Sequence, residues 1–141
     1  ARARRGEGLT VEIHTLPRDA VAVMVPVVSA GLVAAGQVGV WVGSDMVADT
    51  QTTYARKVSI RRDGGPQVDQ VQSVARLGVN CWAPTEAQAV ALAGLVQRAI
   101  LQSPDGVVIL GAECTSGPSV VPDAATAAHT YSTFEVVISG V

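Results

Sequence analysis

Aromatic residues are scarce in this chain, with one phenylalanine, two tyrosines and two tryptophans among 141 residues. The apolar content, 48% of all residues, comes mainly from valine and alanine instead. At this length such a composition is enough for one buried core, so we expect a single domain. Because β-branched side chains suit a pleated sheet, the abundance of valine favours a core built around strands.

Charged residues are also few, and positive charge is not in excess, because 10 Lys and Arg against 12 Asp and Glu give a net charge of −2. A surface that grips nucleic acid is usually strongly basic, so independent DNA binding is disfavoured. Two local clusters of positive charge nevertheless exist. One lies in a basic arm, residues 1–8, and the second comprises Arg56, Lys57, Arg61 and Arg62.

The chain lacks an uninterrupted hydrophobic run of the length that a membrane span needs. Residues 20–42 are the most apolar stretch, but a proline, three glycines and a glutamine interrupt it. A secretory signal peptide is not indicated either, because the basic start is followed by polar residues 6–12 where an apolar segment is required. We therefore expect neither membrane insertion nor secretion.

Cysteine and histidine are limited to two residues each. Cys81 and Cys114 lack the CxxC spacing of a metal or redox site, and we interpret them as buried free thiols, with a disulfide as the alternative. His14 and His129 stand near strand ends, which favours capping or solvated roles over catalysis. No nucleophile elbow or glycine-rich nucleotide loop is present, and the carboxylates are scattered singly. The sequence thus predicts no catalytic residue, no cofactor and no metal site.

The hydrophobic pattern predicts two helices. Asp19 is the candidate N-cap of a buried helix over residues 20–35, within which Pro26 removes one backbone hydrogen bond. Thr85, after Pro84, is the candidate N-cap of a second helix that ends at residues 103–106. A set of residues recurs at helical spacing in the second helix. Its members are Ala87, Val90, Ala91, Gly94, Leu95, Arg98 and Leu101.

Alternating apolar and polar residues predict strands over residues 38–43, 56–62, 72–82, 107–115 and 130–139, and a short strand or ordered arm over 9–14. In the third of the five, Leu77, Val79 and Cys81 are expected to face the core. The residues Asp63-Gly64-Gly65-Pro66 predict a hairpin turn, and Ser116-Gly117-Pro118 predict a break. We predict one α+β domain over residues 9–141, with a mostly antiparallel or mixed sheet and two helices packed on one face.

The segment from Arg76 to Leu101, RLGVNCWAPTEAQAVALAGLVQRAIL, resembles the tail terminator proteins of long-tailed bacteriophages, especially actinobacteriophages. In that family a strand that ends in an aromatic residue, followed by Thr or Ser and then Ala four positions on, leads into the second helix. Residues 116–123 and 131–140 are similar to the closing hairpin of the same proteins, and residues 61–66 fit the preceding hairpin. The resemblance covers residues 38–141.

The resemblance implies a non-enzymatic virion protein, assembled in the host cytoplasm, that forms a ring at the head-proximal end of the tail tube in the neck region. The ring, expected to be a hexamer, would stop tube polymerisation. Its partners would be further copies of itself, the major tail tube protein and the head-tail connector or stopper protein, with no membrane contact. DNA would pass through the ring without sequence readout.

Two groups of residues are candidates for these contacts. The candidates for an inter-subunit or tube-facing interface are Arg61, Arg62, Asp63, Gln67, Asp69 and Trp82. The candidates for a lumen that faces DNA are Arg56, Lys57, Arg61 and Arg62.

Two other classes of function stay open. A head-completion adaptor or stopper protein from the same neck region would share the small size, the ring and the lack of catalytic residues. Selective binding to the connector protein would distinguish it from a terminator. An unrelated small-ligand enzyme of α+β fold would need a deep pocket with converging Asp, Glu or His side chains, which the sequence does not indicate.

Overall fold

The computed structural model describes residues 18–44, 54–65, 72–122 and 128–140. Two helices and five strands follow one another in these ranges, in the predicted order. They are α1 (Ala20–Ala34), β1 (Val40–Gly43), β2 (Arg56–Gly64), β3 (Gln72–Ala83), α2 (Glu86–Leu101), β4 (Ile109–Val120) and β5 (Ala128–Ser139). β1 and β4 begin two residues later than predicted, and β5 begins two residues earlier. The basic arm, the expected strand over residues 9–14 and most of the polar connection before β2 lie outside the described residues.

The strands form one five-stranded sheet in the order β1-β2-β3-β5-β4. β1 pairs with β2 in parallel, and the other neighbouring strands are antiparallel. β3 and β5 pair along their whole length, from Gln72 opposite Ser139 to Ala83 opposite Ala128. The sheet is therefore mixed, and the predicted α+β class is confirmed.

Both helices pack on the same side of the sheet. α1 contacts β1 and β2, and α2 contacts β3, β4 and β5. Alternate strand residues point into this layer, and Leu77, Val79 and Cys81 are buried there as predicted. Burial raises the pKa of the Cys81 thiol to about 12. Cys81 and Cys114 are both free thiols, but Cys114, on an edge strand, is only half-buried, so the prediction that it is buried is wrong.

The caps predicted for both helices are confirmed. Asp19 Oδ1 accepts hydrogen bonds from the Val21 and Ala22 amides at 3.0 and 3.2 Å, and Thr85 Oγ1 accepts one from the Gln88 amide at 3.2 Å. Each side chain satisfies an N–H group that the first helical turn leaves without a partner.

The two helices approach each other closely where Gly31 of α1 faces Ala99 of α2. A Cβ atom on Gly31 would lie 2.6 Å from Ala99 Cβ, so only glycine fits there. The two helices therefore pack directly against each other as well as against the sheet.

The buried side of α2 differs from the set of residues noted at helical spacing. The residues that face the sheet are Ala89, Leu92, Ala93, Val96 and Ile100. Val90 and Leu101, from the other set, are 42% and 39% exposed. Both sets obey the same period, so periodicity alone does not select the buried one.

β4 departs most from the prediction. The sequence predicts a break at Ser116-Gly117-Pro118, but β4 continues to Val120. Its pairing with β5 is irregular, with shifts of register on both sides of Ser116 and after Ile109. Because β4 is an edge strand of the described sheet, only one of its sides has to pair, and such a strand tolerates a proline.

Candidate interaction surface

The side of the sheet that faces away from the helices is not covered by any described element. Residues directly opposite each other on neighbouring strands lie on the same face, so the pairing gives the composition of this side in rows. We call it the outer face. Its first row is Trp41, Lys57, Trp82 and His129, its second Ser59, Asn80 and Tyr131, its third Arg61, Gly78 and Thr133, and its fourth Arg76, Glu135 and Glu113.

The outer face holds both tryptophans and one of the two tyrosines. Trp41, Trp82 and Tyr131 are all half-buried, whereas the one phenylalanine, Phe134, is in the core. Tryptophan and tyrosine are enriched where proteins contact each other, because they supply large, rigid contact areas. Trp82, predicted as an interface residue, therefore lies on a surface of the expected chemical character.

His129 is held by two neighbours on this face. Its ring stacks on Trp82 with ring centroids 4.5 Å apart and an interplanar angle of 12°. Its Nε2 atom lies 2.6 Å from Asn80 Oδ1, an oxygen that can only accept, so Nε2 carries the hydrogen. The predicted capping or solvated role is wrong, because β5 is an interior strand and pairs on both sides.

Lys57 stands between the two tryptophans in the first row. It is only 7% exposed, and its ammonium group donates a hydrogen bond to the Tyr54 carbonyl oxygen at 2.6 Å. A charge that is taken out of water needs such a partner. Little of this lysine is accessible to a ligand such as DNA.

Arg61, Asp63 and Tyr131 form a hydrogen-bonded chain over Gly78. Arg61 Nε donates to Asp63 Oδ1 at 2.9 Å, and the Tyr131 hydroxyl donates to Asp63 Oδ2 at 3.0 Å. The hydrogen bond from Arg61 lowers the pKa of the Asp63 carboxyl, whereas partial burial and the bond to Asp63 raise the pKa of Tyr131. A Cβ atom on Gly78 would lie 2.9 Å from the Tyr131 hydroxyl oxygen and still closer to Asp63, so any larger residue at this position would displace the two side chains.

Two glutamates face each other in the fourth row. Glu113 of β4 is directly opposite Glu135 of β5, and like charges in that relation repel. Arg76 forms an exposed ion pair with Glu135, with Arg76 Nε and Glu135 Oε2 3.4 Å apart. Within the described part of the chain, Glu113 forms no hydrogen bond or ion pair. The row as a whole carries a net negative charge.

The four cations predicted for a lumen do not form one surface. Lys57 and Arg61 lie on the outer face, but Arg56 and Arg62 alternate with them along β2 and lie on the helix side. Arg56 donates to Gln37 Oε1 and to the Val38 carbonyl oxygen at 2.6 and 2.7 Å.

Arg62 is used within the hairpin, where it donates to the carbonyl oxygens of Gly64, Gly65 and Val74 at 3.2, 3.0 and 3.4 Å. Arg62 is therefore a support for the β2–β3 hairpin. Gln67 and Asp69, predicted as interface residues, lie outside the described residues.

A shallow depression runs between α1 and α2. It is lined by Gly31, Ala34, Ala35, Leu95, Arg98, Ala99 and Gln102. A second depression nearby is lined by Gln37, Arg56, Gln88, Ala91, Leu92 and Leu95. Neither set of described lining residues contains a carboxylate or a histidine.

Metal-ligating side chains do not gather in groups of three or more in the described ranges. None of the helices described is long and apolar enough to cross a membrane. The outer face is therefore the best-defined candidate site that the described residues offer.

The fold and the outer face define a class, a single α+β domain whose sheet is covered by helices on one side and presents aromatic residues on the other. No protein-family model and no curated protein matches the chain.

Proposed function

We propose that this protein is a structural assembly protein, the tail terminator of a long-tailed bacteriophage, which forms a ring at the head-proximal end of the tail tube. The observation that carries the proposal is the outer face, on which Trp41, Trp82 and Tyr131 are exposed in part and no described element packs. An uncovered aromatic surface of this kind is typical of a protein that functions through contacts with other proteins.

The choice among assembly proteins rests on the resemblance of residues 76–101 to tail terminators. These residues form β3, the connection capped by Thr85, and α2, which together are one structural unit. The aromatic residue that ends the strand in that family corresponds to Trp82, which belongs to the outer face. The part of the chain that resembles the family therefore contributes directly to the candidate surface.

In this role the protein would act through the shape of its binding surfaces and would catalyse no reaction. Each subunit of the ring, expected to be a hexamer, would cover exposed parts of the last ring of the major tail tube protein. Its other side would bind the head-tail connector or stopper protein and would not accept a further tube ring. The protein would lie in the neck of the virion after assembly in the host cytoplasm. Of the two predicted lumen cations on the outer face, Arg61 is the more accessible, with a side chain 63% exposed.

The test is the mass of the purified chain in solution, alone and after mixing with self-assembled tail tubes, followed by electron microscopy of the tube ends. We expect rings at tube ends and no further tube growth. Trp82→Ala should abolish this capping. Val107→Ala, at a valine that is 72% exposed and outside the outer face, is the matched control and should cap normally.

Two outcomes would count against the proposal. A protein that ignores tubes but binds the head connector would favour the alternative, a head-completion adaptor or stopper protein. A monomer that binds neither would contradict both assignments. No observation on the described residues supports the third alternative, a ligand-binding enzyme.

A further inference from the structure

We infer that successive subunits of the ring contact each other head to tail, with the helical surface of one copy packed against the outer face of the next. The inference rests on the proposed ring and adds which two surfaces meet. The helical surface consists of the solvent-facing residues of α1 and α2 and of the depression that Arg98 helps to line. It lies on the opposite side of the sheet from the outer face.

The helical surface has an unusual composition for the outside of a domain. α1 contains no charged residue at all. Its exposed positions are Ala22, Pro26, Ser29, Ala30, Val33 and Ala34. Val33 is 65% exposed, and α2 adds Val90, Ala91 and Gly94. The solvent side of a surface helix is normally polar, so an apolar one indicates that another protein surface covers it.

The two surfaces differ in the size of their side chains. The small residues of the helical surface leave a shallow depression where Gly31, Ala35 and Ala99 meet. The outer face presents the large indole rings of Trp41 and Trp82. Large aromatic side chains are the usual anchors of a protein–protein contact.

The two surfaces offer opposite charges at one place, Arg98 on the helical surface and the fourth row of the outer face. Arg98 is the one charged residue among the described residues of the depression, and it forms no ion pair in the described part of its own chain. The fourth row of the outer face is net negative, because Glu113 and Glu135 oppose each other next to a single arginine. Arg98 cannot reach Glu113 of its own chain, since the sheet separates them. In a head-to-tail contact, Arg98 of one copy would neutralise this row in the next.

The positions of the two surfaces favour this arrangement over a symmetric pair. A contact between two like surfaces buries one of them and leaves the other in solvent on both copies. In a closed ring, a contact of helical surface on outer face buries both surfaces of every copy. Such heterologous contacts close into a ring when the rotation per subunit fits a full turn.

The test exchanges the charges and uses mixtures. R98E and E113R each place like charges across the proposed contact, so each alone should weaken self-association by at least about tenfold. An equimolar mixture should associate again, because each variant's helical surface then meets an outer face of opposite charge. The readout is the mass distribution by sedimentation of the full chain without tail tubes. Both residues are exposed, and thermal unfolding should confirm that both variants fold normally.

Every outcome decides for or against the inference. Recovery in the mixture supports it. Unchanged association of both single variants, or weakening without recovery, overturns it. Weakening by R98E alone would mean that helical surfaces pack on each other, and stronger association after deletion of residues 1–17 would mean that this segment covers the helical surface. Either result also overturns it.

The inference and the proposed function can fail separately. Charge-dependent recovery in a protein that never binds tail tubes would keep the head-to-tail contact and remove the terminator. A protein that caps tubes but whose self-association is unchanged by R98E and E113R would keep the terminator and remove the head-to-tail contact.

Discussion

The two sides of the sheet are formed by the same strands but from different kinds of residues. On the helix side, β3 and β5 contribute Leu77, Val79 and Phe134, all apolar and almost fully buried. On the outer face the alternate residues include Asn80 and Tyr131, which are half-buried and held by hydrogen bonds to other side chains. Burial of apolar side chains on the helix side therefore provides most of the folding stability, and the outer face contributes less.

The largest expected effect is on the helix side. Phe134→Ala should lower the free energy of unfolding by about 3–5 kcal/mol, because it leaves a cavity in the core. Urea denaturation measures the loss. Trp82→Ala, on the outer face, should cost less than half as much, since the ring is already partly in solvent. Equal losses of unfolding free energy in the two variants would contradict the claim that the helix side provides most of the stability.

A second change compares glycines. Gly78→Ala should lower the free energy of unfolding by about 1–3 kcal/mol, because the new methyl group displaces Tyr131 and Asp63. Gly94→Ala is the control, since no atom lies within 4 Å of a Cβ there and alanine favours the helix. We expect it to stabilise the protein by about 0.5–1 kcal/mol. Thermal or urea unfolding should give opposite signs for the two, and a shared sign would contradict the proposed crowding at Gly78.

A smaller effect is expected from one hydroxyl group. Tyr131→Phe removes the hydrogen bond to Asp63 and should lower the free energy of unfolding by about 0.5–1.5 kcal/mol. Tyr54→Phe serves as the comparison, because the Tyr54 hydroxyl makes no hydrogen bond in the described part of the chain. If both variants unfold alike in urea, the outer-face chain contributes nothing to stability.

The smallest effect depends on pH. The hydrogen bond from Arg61 holds the pKa of Asp63 below its ordinary value, so ionised Asp63 stabilises the folded chain above the pKa of the unfolded state. That contribution is lost as the pH falls through the lower, folded-state pKa. The difference in unfolding free energy between wild type and Asp63→Asn should therefore shrink below about pH 4. It should be constant near neutrality and weaker in high salt, because the pair is partly exposed.

The fold was predictable wherever a signal is local. Asp19 and Thr85 bond to amides two or three residues away, so the residue types near the helix starts were sufficient. Alternation placed Leu77 in the core for the same reason. The continuation of β4 was not predictable, because the effect of Pro118 depends on whether its strand lies at an edge, and no local pattern gives the strand order.

The candidate site was predictable only in part. Trp82 was selected from its position at a strand end, but its partner His129 and the contact with Asn80 depend on the register of β3 against β5. His129 and Asn80 are 49 residues apart, and Tyr131 and Asp63 are 68 apart. The sequence was sufficient to predict that the basic cluster is divided between the two faces of the sheet. Lys57 and Arg61 alternate with Arg56 and Arg62 along one predicted strand, and alternate residues of a strand face opposite sides.

The irregular edge strand β4 has a consequence for aggregation. A long, regular edge invites strand-by-strand stacking into fibrils, for which about six or seven regular residues suffice. Between its shifts of register, β4 offers only residues 111–114 in regular pairing, and Pro118 follows without an N–H group. The edge is therefore a poor template for strand-by-strand stacking of one copy on another.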